Sequence, residues 1–190
     1  DNWKPRIHID PNWDFVELKQ VATVIAGQSP ESKYYNNNQE GLPFFQGKTE
    51  FQDIHLGKPK VWTTQITKTS YPNDIVMSVR APVGPVNIVT EDICIGRGLA
   101  AIRCNDRMLF KFCFYFLKHI EKDITGTSGS TFSSISKSDL EKVKVPLPDI
   151  TIQLSIVECI EYEQKLVDAN RELINLFEQK IKDRIDRLWK

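Results

Sequence analysis

The chain has 190 residues, 41% hydrophobic and 26% charged, with 25 Lys and Arg balanced by 25 Asp and Glu. That length suits one domain, or one domain with an appendage, and the apolar fraction is enough for a packed core. A neutral total argues against a nonspecific, charge-driven binder of nucleic acid, but leaves room for a basic face balanced by acid elsewhere. Cys94, Cys104, Cys113 and Cys159 show no C-x-x-C spacing, which argues against a zinc site and a disulfide frame. They read as small core residues in a reducing compartment. No run of 18 apolar residues occurs, so a soluble, cytoplasmic protein with no membrane partner is expected. Because the chain opens at Asp1, a piece of a longer polypeptide is expected.

Residues 1–12 contain Pro5 and Pro11 and little periodicity, and read as an extended lead-in. Residues 13–26 carry Val16, Leu18, Val21, Val24 and Ile25, a pattern for a strand and a short helical turn. Residues 28–42 concentrate Ser29-Pro30, Tyr34-Tyr35, Asn36-Asn37-Asn38 and Gly41, and so predict a long exposed loop. From residue 43 to 103, short strands are punctuated by Gly and Pro. They are expected around Phe44-Phe45, Lys60-Val61-Trp62, Ile75 to Arg80, Val86 to Val89 and Gly98 to Arg103. Val76 makes the third of these buried on both faces, and Gly96-Arg97-Gly98 reads as a tight turn.

Residues 106–120 are helical by length and apolar density, with Phe110, Phe114 and Leu117 on one face and Phe112 and Phe116 on another, so this helix should be largely buried. Residues 125–134, rich in Gly, Ser and Thr, predict another exposed loop. Ser136 is a credible N-cap with Asp139 three residues on, opening a short helix that ends near Lys142. A strand over 143–147 follows, then Pro146 and Pro148, with Asp149 or Thr151 as N-cap of a last helix. That helix, 151–190, has neither Pro nor Gly and repeats Ile160, Val167, Ile174, Ile181 and Leu188 every seven residues. Such a repeat buries a narrow stripe against another helix. Leu166, Leu173 and Phe177 support it on the neighbouring ridge. The alternative is a helix that folds back onto its own domain.

Catalytic signatures are absent from the sequence. His8, His55 and His119 sit near no nucleophile elbow or metal-ligand partner, and no Walker loop, G-x-G-x-x-G or asparagine-proline-proline-aromatic motif occurs. Polar and basic side chains of the expected loops suit base edges and phosphates instead: Lys33, Tyr34, Gln46, Lys48, Thr49, Thr63, Arg80 and Ser130. Arg80, Lys48 and Gln46 are expected on a surface that faces DNA, with an internal salt bridge or a carbonyl-capping role as the alternative for Arg80. Tyr34, Tyr35 and Lys33 are expected either to lie along a groove or to fold back on the domain.

These segments together resemble one half of the specificity subunit of type I restriction-modification systems. The likeness rests on Trp13-Asp14-Phe15-Val16-Glu17-Leu18 with Gly27-Gln28-Ser29-Pro30, on Gly41-Leu42-Pro43-Phe44-Phe45-Gln46-Gly47, and on Asp74 through Gly84. It continues in Ile95-Gly96-Arg97-Gly98-Leu99-Ala100 and in Ile135-Ser136 through Pro148, with Gln153, Ile156 and Val157. Each motif is weak alone, whereas their joint order over residues 13–157 is specific. Two departures stand out: Asp149 where the family usually has a second Pro, and Ile152 where it usually has Glu. The lead-in KPRIHIDPNW is similar to segments joining a fused methyltransferase to such a domain.

The resemblance implies an α/β fold of the α+β type: a mixed small-sheet target-recognition domain over 13–150, then a long spacer and dimerisation helix over 151–190. The domain would read one half of a bipartite double-stranded DNA site. The helix would pair as an antiparallel coiled coil with a second copy or a second half-subunit, through Ile160, Val167, Ile174, Phe177, Ile181 and Leu188. Catalysis would belong to a modification subunit or fused methyltransferase, which would carry S-adenosylmethionine, with a restriction subunit as a further partner. No cofactor, metal or catalytic residue is expected within this chain. A protein-interaction adaptor dimerising through the last helix is the alternative.

Overall fold

In the computed structural model, residues 7–124 and 134–188 are described. The strands in chain order are β1 (Phe15–Glu17), β2 (Ala22–Ala26), β3 (Tyr35–Asn36), β4 (Leu42–Phe45), β5 (Trp62–Thr63), β6 (Thr69–Ser70), β7 (Ile75–Ser78), β8 (Val86–Ile88), β9 (Ile93–Ile95) and β10 (Leu99–Cys104). Helices α1 (Phe110–His119), α2 (Glu121–Ile124) and α3 (Lys137–Glu141) follow, then β11 (Lys144–Pro146) and α4 (Ile150–Leu188).

The layering follows from side-chain alternation on the two central strands. Ile75 and Met77 of β7, with Ala100 and Ile102 of β10, face a core shared with α1 and the root of α4. Their neighbours Val76, Leu99 and Ala101 face a second, smaller core with Phe45, Ile93 and Ile95. One sheet, in the order β2-β10-β7-β8, is antiparallel throughout and is covered on both faces. The other, β3-β5-β4-β9-β6, is mixed, because β4 and β9 run parallel. A separate antiparallel ribbon pairs β1 with β11, bringing the start of the domain to the base of the last helix.

The mixed α/β architecture and the long terminal helix agree with the sequence reading. The short strands β3, β6 and β9 carry no pattern strong enough to be read in advance. Helix α1 buries every residue from Phe112 to Leu117, and each large side chain removed from water is worth about 1.5–3 kcal/mol. The expected cap at Ser136 is present: its hydroxyl accepts from the Asp139 N–H at 3.2 Å, and the Asp139 carboxylate accepts from the Ser136 N–H at 3.3 Å. Among the cysteines, Cys94 and Cys113 are buried, but Cys159 is exposed on α4. Ile7 of the expected lead-in is buried in the larger core.

The structure corrects the reading of α4. At 1.5 Å per residue its 39 residues extend roughly 58 Å. It begins at Ile150, with the Asp149 carbonyl accepting the N–H groups of Ile152 and Gln153. Gln153, Val157 and Ile160 are buried in the domain, and Lys111 of α1 meets Glu161 at 2.6 Å. Ile160, expected in an intermolecular seam, is therefore a core residue at 4% exposure. The repeat puts it on the helix face that lies against α1, because the same stripe first serves the domain and then leaves it. Val167 is half-buried, whereas Ile174, Phe177 and Ile181 are 57%, 56% and 60% exposed. The side chain of Leu188 lies outside the described residues. The helix thus folds back onto its own domain as far as Ile160, and beyond Val167 its apolar stripe is exposed.

Candidate nucleic-acid interface

Three chain segments cross at one end of the two larger sheets. The Gly27 N–H donates to Leu99 O at 2.9 Å, Gln28 N–H to Ile95 O at 3.0 Å, and Gly96 N–H to Phe45 O at 2.8 Å. Backbone approaches this close leave no room for side chains. A Cβ on Gly27 would lie 2.2 Å from Gly96 O, and one on Gly98 would lie 2.3 Å from Gln46 O. The Leu99 N–H closes the turn onto Gly96 O at 2.9 Å, as the glycine spacing predicts. Arg97 stands at its tip, its own N–H donating to Ser29 Oγ at 3.2 Å.

Beside this crossing, β7 runs out into Val79 and Arg80. The Val79 N–H donates to Gly98 O at 2.9 Å, and Ser78 Oγ donates to Arg80 O at 3.1 Å. Arg80 also bridges the chain at Ser134, just past the undescribed residues 125–133. The Ala81–Pro82 peptide that follows is cis.

Two grooves meet here. One, of about 390 Å³, is lined by Gln46, Lys48, Thr49, Ser78, Arg80 and Arg97 together with Gly47, Ala81, Pro82 and Gly98. The other, of about 400 Å³, lies between Gly27, Val79, Leu99 and Ile135 and is bordered by Arg80, Arg97, Ser134 and Lys137. Among the described residues no Asp or Glu lines either groove. Lys48, Arg80 and Arg97 are exposed and have no ion-pair partner among the described residues; Lys137 meets Glu141 at 3.5 Å. In a chain of zero net charge, this is local segregation of charge, and it concentrates positive potential on one surface.

Gln46, Lys48, Thr49 and Arg80, singled out from the sequence, come together in one groove. Thr63 does not join them. It is fully buried in β5, and its hydroxyl exchanges hydrogen bonds with the backbone of Gln65 at 3.3 and 3.2 Å. Its neighbours in sequence suggest a loop, but pairing with both β3 and β4 carries it inside the sheet. Lys33 and Tyr34 lie on an exposed turn outside both grooves. There Lys33 pairs with Glu31 at 2.8 Å and sits 5.0 Å from the centre of the Tyr34 ring. Tyr35 folds back, its ring 4.9 Å from that of Phe44 and its hydroxyl donating to Pro30 O at 3.0 Å. Ser130 lies outside the described residues.

The sequence reading missed Arg97 and Lys137. A cation flanked by two glycines in a turn was a usable signal for the first, since such a turn can present only that side chain. Among the described residues no group of three or more His, Cys, Asp and Glu is placed to hold a metal, and no helix is long and apolar enough to cross a membrane.

The fold and the site define a loop-presenting α/β recognition domain carried on a projecting helix. Residues 11–179 match the family described as type I restriction modification DNA specificity domain, and the chain belongs to that family. The MjaX protein of Methanocaldococcus jannaschii, provisionally described as a type I restriction enzyme specificity subunit, is 40% identical over 86% of this chain and 39% of its own length. The HsdS subunit of Thermoanaerobacter tengcongensis superposes with a TM-score of 0.76 at 38% identity, over 89% of this chain and 41% of that one. A chain from a structure describing assembly and conformational transition of a type I restriction-modification system gives 0.82 at 39% identity, over 94% and 45%. The chain spans about two fifths of the curated relatives it matches, 39% of one and 42% of another.

Proposed function

We infer that this chain is a non-catalytic target-recognition unit that reads one half of a bipartite double-stranded DNA site for a methyltransferase. The observation that carries the reading is the pair of grooves on Arg80 and Arg97, lined by no acid among the described residues, where cations stand beside the neutral hydrogen-bonding groups of Gln46 and Thr49. Phosphates supply most of the affinity in such interfaces, and groups of the Gln, Ser and Arg kinds read base edges. Helix α4 carries the domain at a set distance from its second half through the exposed stripe of Ile174, Phe177 and Ile181, paired with an antiparallel helix of a second copy or a second half-subunit. A modification subunit, or a fused methyltransferase, holds S-adenosylmethionine and does the chemistry, with a restriction subunit as a further partner. The setting is cytoplasmic, where DNA and thiols are both available.

Selection of bound duplexes from a random pool, followed by mobility shift of the winners, tests this. A short enriched motif is the expected result. An adaptor for proteins would enrich none, and would retain its partner when Arg80 and Lys48 are replaced.

A further inference from the structure

We propose that Arg97 grips a DNA phosphate and so fixes the register in which the neighbouring Arg80 meets base edges, an inference that rests on the DNA-recognition reading above. Three observations converge on it. The first is that Arg97 is kept unpaired. Arg103, by contrast, is locked to Asp74 by two hydrogen bonds of 2.9 and 2.7 Å and lies 4.6 Å from the centre of the Tyr71 ring. Arg97 has no ion-pair partner among the described residues and borders two grooves without a carboxylate. An arginine left free on a surface cleared of acid is suited to an external anion.

The second is the rigidity of its support. Gly96 is tied to Phe45, Gly98 to Val79 and the Arg97 N–H to Ser29, so the turn is anchored to three separate segments. Gly98 cannot carry a side chain beside Gln46 O, and a Cβ on Gly96 would lie 3.0 Å from the Phe44 ring. The guanidinium is thus the one group the turn presents, on a backbone that need not reorganise on binding.

The third observation separates a phosphate from a base. The groove holding Gln46 and Thr49 offers neutral donors and acceptors of the kind that discriminate bases. The adjoining groove is walled mainly by Gly27, Val79, Leu99 and Ile135, with Ser134 and Lys137 at its edge. Such a surface accommodates a sugar-phosphate strand but offers little with which to read sequence. Arg80 and Arg97 both border the two grooves, but Arg97 enters from the glycine turn, against the Gly27 wall of the adjoining one. Contacts to phosphate set register, and contacts to base edges set specificity.

The test measures binding of the whole chain to its selected duplex and to a scrambled duplex across a salt series. Arg97→Ala is expected to weaken both several-fold and alike, and to lower the slope of log K against log salt by about 1. Arg97→Lys should keep the slope and Arg97→Gln should lose it, a comparison that holds even if the alanine variant melts early. Unchanged affinity and slope would overturn the proposal. So would loss of preference at a single motif position with the slope intact, which would make Arg97 a base reader. A parent chain that binds neither duplex would sink the DNA-recognition reading itself, and that outcome is distinct from either of these.

Discussion

The side chain of Gln153, near the start of α4, caps the backbone at Leu109, where α1 begins: its Oε1 accepts the Leu109 N–H at 2.9 Å. Leu109 has no polar side chain to cap its own helix. The Gln153 amide nitrogen donates to Arg107 O at 3.0 Å and Pro148 O at 2.9 Å, so one fully buried amide satisfies three backbone groups. The root of α4 is thereby tied into the folded domain.

Replacing Gln153 by Leu should destabilise the domain by about 2–4 kcal/mol, because a buried backbone group left unsatisfied costs about 1–3 kcal/mol and relaxation recovers part of the sum. Denaturant titration measures it. A loss below about 0.5 kcal/mol would show that water replaces the amide.

Two parts of the same heptad stripe should respond in opposite ways. Ile160→Ala should cost about 2–5 kcal/mol in domain stability, since that side chain is in the core. Ile174→Glu with Ile181→Glu should leave the domain's melting within about 0.5 kcal/mol, as for other exposed sites, while abolishing self-association. Sedimentation velocity at tens of micromolar, read beside the melts, checks both. An unmodified chain that sediments as a monomer would leave a second half-subunit as the only partner for α4.

In DNA binding, Arg80→Ala should cost about 1–3 kcal/mol and relax one position of the selected motif. Thr63→Val should leave binding unchanged and cost about 1 kcal/mol of stability, because its hydroxyl bonds only to backbone within its own turn. A Thr63→Val variant with altered motif preference would restore that residue to the interface.

Tyr115 supplies a pH signature. Burial, followed by the carboxylates of Glu161 and Asp53, pushes its hydroxyl from 10.0 up to about 12. Because the folded value lies above the unfolded one, the stability it contributes is complete below pH 10 and is lost as pH rises towards about 12. Tyr115→Phe should flatten the fall in stability across that window and remove a late-titrating tyrosinate from the absorption spectrum. An equal fall in parent and variant would place the alkaline sensitivity elsewhere.

Local pattern determined much of this protein. Alternating apolar residues around Ile75 and Met77, the aromatic run of α1, the Ser136–Asp139 cap and the uninterrupted last helix are all legible, because each depends on neighbours within a few residues. Ordered motifs along the chain also carried the family resemblance. What lay beyond local pattern depended on segments distant in sequence. Thr63 looks like a loop residue until β3 and β4 flank it, Ile160 looks like its heptad mates until α1 covers it, and Gln153 acquires its role only from Leu109, Arg107 and Pro148. The basic surface is the clearest case. Arg80 and Arg97 are 17 positions apart in a chain of zero net charge, and only the crossing of three backbones through Gly27, Gly96 and Gly98 sets them on the same grooves, with no acid among the described lining residues. Composition sums charge over the whole chain, whereas a binding surface depends on where the fold places it.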